Sequence, residues 1–183
     1  FNKSNQSILY AGGGTLSSNF PTTFGNLHSS YQGGIADGFL LKFDANTKAL
    51  MAGTFIGTNQ YDQVYGVQTD DSDYVYIMGQ TTGAYPIIGP VYSNANSTQF
   101  MSKLNTSLST LLYSTTFGTG SLATTQQTDI SPNAFLVDKC QNVYVSGWGG
   151  PIIGSNPGTT SGLPVTAGAI KSTTDGASQS GYF

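Results

Sequence analysis

The chain contains no arginine and no glutamate. All of its formal charge comes from six lysines and nine aspartates, so charged residues make up 8% of its 183 positions, against about a quarter in an ordinary soluble domain. Amphipathic helices draw their outer faces from Glu, Lys and Arg, and this chain has little to clothe them with. A net charge of −3 with so few lysines leaves no basic stripe to follow a nucleic-acid backbone. The single cysteine closes no internal disulfide and says nothing about compartment, and one Cys with one His is too few for a structural zinc site. No apolar run approaches the roughly 20 residues that span a bilayer. Nucleophilic catalysis is also poorly supplied: Cys140 has no base near it in sequence, the lone His28 lies in a distant loop, and no GxSxG elbow occurs. The chain opens without an initiator methionine or a signal peptide, as a mature or internal segment would.

What the chain does have is Thr, Ser, Tyr, Phe, Val and 24 glycines, with 12% aromatics gathered into short apolar runs between turn residues. That is the composition of β structure and not of a disordered tract. The runs recur. ADGFLLKFDANTKALMAGTFIG (36–57) aligns with STQFMSKLNTSLSTLLYSTTFG (97–118), setting Phe39 on Phe100, Lys42 on Lys103 and Gly57 on Gly118. VQTDDSDYVYIMG (67–79) aligns with FLVDKCQNVYVSG (135–147), setting Asp70 on Asp138, Tyr76 on Tyr144 and Gly79 on Gly147. A proline marker follows each time, as FPTT (20–23), YPII (85–88) and LPVT (163–166).

One unit reads as four strands: Phe39–Phe43, Ala49–Phe55, Gly66–Thr69 and Tyr74–Gly79. The next reads Phe100–Leu104, Leu111–Phe117, Ala134–Asp138 and Asn142–Gly147. Four-stranded units repeating along a chain predict an all-β protein, a β-propeller fragment of antiparallel blades, about two complete and others partial. The expected divisions are a partial blade with its connecting loop (1–35), a blade with a trailing loop (36–96), a blade with a long trailing loop (97–179) and the start of another (180–183), all within one larger propeller. The opening segment fits two registers: Phe1–Ala11 as a first-to-second-strand hairpin, or Tyr10–Gly13 as the counterpart of Tyr76–Gly79. The glycine runs GGG (12–14) and GWGG (147–150) lack a following Lys and helix, so they read as flexible loop and not as a phosphate cradle.

A strand of the form DGFLLKF, a D/N turn, a strand ending TFIG or TTFG, then VxxD, a polar turn, VYVSG and a proline-marked loop resembles the SBBP repeat, a β-propeller repeat. The likeness covers nearly the whole chain. It implies a large secreted or surface protein of bacteria, notably Bacteroidota, in which such repeats accompany adhesion modules, and it brings no catalytic residues with it. The expected function is a non-catalytic extracellular scaffold or interaction module, with adhesion as its setting and a cell-surface protein or glycan as partner, besides the remaining blades of the same chain or of a partner chain. The alternative is part of a carbohydrate-active propeller whose catalytic carboxylates lie mostly elsewhere.

The candidate residues are few. Exposed aromatics suit a sugar ring or a protein partner, which singles out Trp148, directly after a predicted strand, together with Tyr85 and Tyr61. No cofactor is called for except calcium, for which Asp70, Asp71 and Asp73 offer clustered hard oxygens. Cys140 aligns with Ser72 and reads as a turn residue.

Overall fold

The computed structural model describes residues 7–120, 128–149, 162–172 and 181–182. Among them are ten strands and no helix, hence no helix long and apolar enough to cross a membrane. The strands are β1 (Ile8–Thr15), β2 (Asp37–Asp44), β3 (Leu50–Ile56), β4 (Asp62–Thr69), β5 (Val75–Thr81), β6 (Gln99–Leu104), β7 (Leu111–Phe117), β8 (Ser131–Val137), β9 (Val143–Gly149) and β10 (Gly181–Tyr182). They make three antiparallel sheets in an open arrangement, ordered β1-β2-β3, β4-β5-β6-β7 and β10-β9-β8.

The sheets are out of phase with the sequence unit. The unit 36–96 would put β2 to β5 in one sheet, but β3 ends one sheet and β4 opens the next. The four-stranded sheet therefore takes β4 and β5 from one unit and β6 and β7 from the following one. The reason is local. The long proline-marked loop returns β6 alongside β5, with Tyr76 opposite Lys103 and Gly79 opposite Phe100, whereas the short Gly57–Tyr61 connection carries the chain into a new layer. The same rule settles the opening segment: Tyr10 lies opposite Lys42 and Gly13 opposite Phe39, so β1 is the counterpart of β5.

The repeat reaches down to irregularities. The β2/β3 register slips between Lys42 and Phe43, and the β6/β7 register between Lys103 and Leu104. The β4/β5 register slips between Val64 and Gly66, and the β8/β9 register between Pro132 and Ala134. A bulge adds twist at a fixed place, so its recurrence makes the aligned sheets alike in shape as well as in sequence.

The core gathers Leu40, Ile56, Val64, Val75, Ile77, Phe100, Leu104 and Leu108 with Tyr85. The GGG run is strand and not a loop: Gly12, Gly13 and Gly14 lie in β1. A Cβ on Gly12 would meet the Val64 and Val67 methyl groups at 2.8 Å, and one on Gly13 would meet the Phe39 ring at 2.8 Å. The absence of side chains lets β4 of the next sheet lie directly on β1. Gly147 and Gly149 likewise belong to β9.

The first two proline-marked loops have two jobs. Each staples its leading ring to the aligned Phe of the repeat: Phe20 sits 4.2 Å from Phe39 on β2, and Tyr85 stacks 4.1 Å from Phe100 on β6 at 14°. Each then runs along the outer strand, where Thr23 N–H donates to Gly53 O at 3.0 Å and Ile88 N–H to Ser114 O at 2.9 Å. The open edge of β3 or β7 is thus covered by a segment whose proline, lacking an N–H, stops further pairing.

Gly79 has almost no room: a Cβ there would fall 2.0 Å from Gln63 O and 2.7 Å from the Phe100 ring. At its counterpart Gly147 the nearest atom, Ser131 O, would be 2.7 Å away. Gly79→Ala should cost about 3 kcal/mol, the upper end for overpacking, and Gly147→Ala distinctly less, read from urea midpoints at constant m.

Candidate functional site

The four-stranded sheet buries one full ion pair. Lys103 on β6 meets Asp70 Oδ2 at 3.1 Å, with side chains 9% and 3% exposed. Tyr76, wholly buried on β5, donates its hydroxyl to the same oxygen at 3.1 Å. The ammonium lies 4.4 Å from the centre of the Tyr74 ring and 4.9 Å from that of Tyr76, and donates at 2.8 Å to Gln141 Oε1 in the β8–β9 turn of the next sheet. The other carboxylate oxygen, Oδ1, accepts the Ser72 and Tyr74 N–H groups at 2.9 and 3.1 Å. Burial works to raise the Asp70 pKa, but Lys103 and these N–H groups hold it below the ordinary carboxylate range. Asp138 repeats the turn in the third sheet: Oδ1 accepts the Cys140 and Asn142 N–H groups, each at 2.8 Å, and Oδ2 accepts the Tyr144 hydroxyl at 3.1 Å. Cys140 thus stands in the slot of Ser72. Asp73 and Gln141 occupy matching left-handed positions, at φ 65° and 66°.

This geometry decides what the acidic turn has to offer. Asp70 has both oxygens engaged, Asp71 points to solvent and Asp73 shapes the turn. The three carboxylates expected to share a calcium ion do not form a cage. Among the described residues no group of three or more His, Cys, Asp or Glu is placed to hold a metal ion.

A second set of aspartates went unnoticed in the sequence. Thr58 donates its N–H and hydroxyl to Asp62 Oδ2 at 2.7 and 2.9 Å, clasping the connection from β3 to β4. Thr119 does the same to Asp129, N–H to Oδ2 at 2.8 Å and hydroxyl to Oδ1 at 2.7 Å, on the way from β7 to β8. The signal was present: Gly57–Thr58 and Gly118–Thr119 align, and each is followed by an Asp at or just before the start of a strand. Burial pushes both carboxyl groups up in pKa. Asp37 at the start of β2 is also fully buried, and burial with the nearby Asp62 charge carries it up to about 6. No repeat foretold it, because its counterpart is Thr98.

The predicted aromatics fare differently. Tyr85, offered as an exposed ring, is 7% exposed, stacked on Phe100 and 3.1 Å from Ser102 Oγ through its hydroxyl, so it belongs to the core. Tyr61 is half-buried just ahead of β4, its hydroxyl donating to Gln63 Oε1 at 2.7 Å. Trp148 lies within β9 and not in a following loop, opposite Ser131 and Tyr182, and its side chain is outside the described residues. His28 is half-buried against β3, its carbonyl accepting the Phe55 N–H at 3.0 Å, on a different sheet from Cys140.

An open groove of about 330 Å³ runs between β4 and β8, lined by Tyr65, Gln68, Met78, Pro132, Asn133 and Phe135 among others. It forms because Phe135 lies over Gly66, where a Cβ would meet the ring at 2.9 Å. Tyr65 is 41% exposed at its mouth and its hydroxyl donates to Gln80 Oε1. Partial burial pushes the Tyr65 phenol up to about 12. The groove offers an aromatic face beside amide and backbone groups, which is the chemistry of a neutral polar ligand. No protein-family model and no curated protein matches the chain.

Asp70→Ala should lower stability by about 3–5 kcal/mol by stranding the Lys103 charge, and the double variant Asp70→Leu/Lys103→Met should recover much of that loss, both by chemical denaturation. In metal-free buffer Asp37 holds its proton more tightly folded than unfolded. Its contribution to stability is therefore full below pH 3.8 and is lost as pH rises through about 6. Thermal melts in chelator from pH 4 to 8 should show this decline, and Asp37→Asn should flatten it.

Proposed function

We propose that the chain is part of a non-catalytic β-propeller built from SBBP-type repeats, a rigid extracellular scaffold that presents loops and a groove to a protein or glycan at a bacterial surface. One observation carries the reading. Tyr76 is 0% exposed beneath the neighbouring sheet, while its counterpart Tyr144 is 54% exposed, opposite Leu136 at 52%. The third sheet thus presents bare the face that the second sheet buries. That is what a stack of like blades leaves where the next blade belongs. The meander order β4-β5-β6-β7 and the recurring bulges and clasps support the same reading.

The interaction role rests on what the groove contains. Its lining holds Tyr, Gln, Asn and Phe and no carboxyl group, which favours recognition over glycoside hydrolysis by paired acids. Adhesion at a cell surface and the bacterial setting follow from the resemblance of the repeat.

The test is a structure of a longer chain that carries the flanking sequence. A further antiparallel sheet over Tyr144 and Leu136, with a lysine beside Asp138, is the expected result. Solvent or a helix on that face would defeat the reading. In parallel, binding to a glycan array or to surface-protein extracts should fall at least tenfold in Tyr65→Ala with the fold intact by circular dichroism.

A further inference from the structure

Asp37 and Asp62 enter the interior with no countercharge in sight. Both are 0% exposed. The buried ammonium of Lys103, in the β4–β7 sheet, is already paired with Asp70. Each of the two carboxylates spends one oxygen on structure. Asp37 Oδ2 accepts the Gln32 N–H, and Asp62 Oδ2 accepts the Thr58 N–H and hydroxyl. Each is left with Oδ1 buried and without a well-formed hydrogen bond, the Thr81 hydroxyl lying near the Asp62 carboxylate and the Gly33 N–H near that of Asp37. Two such carboxylate oxygens inside a protein are costly as they stand, because burial removes hydration and their charges repel. The pair sits where two loops cross. The segment 31–36 is pressed on 57–61 so closely that a Cβ on Gly34 would lie 2.2 Å from Gln60 O, and one on Gly33 would lie 3.8 Å from Asn59 O. Asp62 N–H also donates to Ala36 O at 2.8 Å, which ties the two loops at the carboxylates themselves.

The geometry points to a calcium site: we infer that Asp37 and Asp62 bind one Ca²⁺ between the crossing loops through their unpartnered Oδ1 atoms, with backbone carbonyls of those loops completing the shell. Two carboxylates match a divalent charge. Calcium accepts an irregular set of carboxylate and carbonyl oxygens, whereas magnesium demands near-octahedral geometry and keeps its waters. The second sheet supplies an internal contrast, because Asp129 is clasped as Asp62 is but Thr98 stands at the place of Asp37, so the site belongs to the first joint and not to the second. Neither the ring architecture nor the binding role proposed above is needed for this inference.

Thermal unfolding of the 183-residue chain, first stripped with chelator and then titrated with calcium at pH 7.5, tests it. Calcium at about 100 times its Kd should raise Tm by about 5–10 °C. Asp37→Asn should fold, melt at or above the stripped wild type, and lose the calcium response, while Asp71→Asn/Asp73→Asn should keep it. Terbium, a calcium substitute excited through nearby Tyr31, should give luminescence that Tyr31→Phe removes without removing the calcium shift in Tm. Should Asp62→Asn fail to fold, Asp37→Asn and terbium still decide the matter. An unmoved wild-type Tm at millimolar calcium, or a full shift in Asp37→Asn, overturns the site and leaves a proton-sharing acid pair.

Discussion

A lysine ammonium carried into the interior has to be met, and the middle sheet is built around meeting it. Lys103 projects from β6 into a space closed by Asp70, two tyrosine rings and Gln141. Asp70 comes from the turn ahead of β5, Tyr76 from β5 itself and Gln141 from the next sheet. One charge therefore fixes the register of two strands, the form of a turn and the approach of a neighbouring layer. Such a cluster adds less net stability than an apolar packing of equal volume, but misplacement of any member strands the others, which makes it a device for choosing one arrangement. Lys42 begins the same pattern in the first sheet, donating to Thr106 O at 2.9 Å across the joint.

The strands and turns were legible because they are local. Alternating apolar residues, Asp- and Asn-led turns and the aligned blocks mark all eight central strands. The grouping of strands into sheets was not legible, because nothing in 36–96 says whether β3 pairs onward to β4 or breaks there. That choice is made by Gly57, Thr58 and Asp62, three residues whose joint role shows only when the chain is folded. The GGG run misled for a related reason: glycine marks both a loop and a place where another backbone comes close, and Val64 and Val67 lie too far along the chain to reveal which.

The candidate site was less legible than the fold. Tyr85 looks like an exposed ring in sequence because its loop is rich in Gly and Pro, but the stacking partner Phe100 draws it inside. Tyr65 and Phe135 are ordinary strand aromatics until β4 and β8 are brought side by side. Asp37 heads the DGFLLKF block, but Thr98 stands in its place in the next unit, so comparing the units hides it. With only nine aspartates and no glutamate, the chain places most of its acidic groups in turns, clasps and the buried pair.

The Gly–Thr…Asp clasp closes a loop by its two ends and ignores what lies between them. In the first joint the bonded residues are 4 apart in sequence, in the second 10 apart, and the pairs of bonds are alike. The bonds that close a joint are thereby independent of how many residues the loop holds. A joint can carry extra residues and still be pinned at its ends by the same Thr-to-Asp contacts.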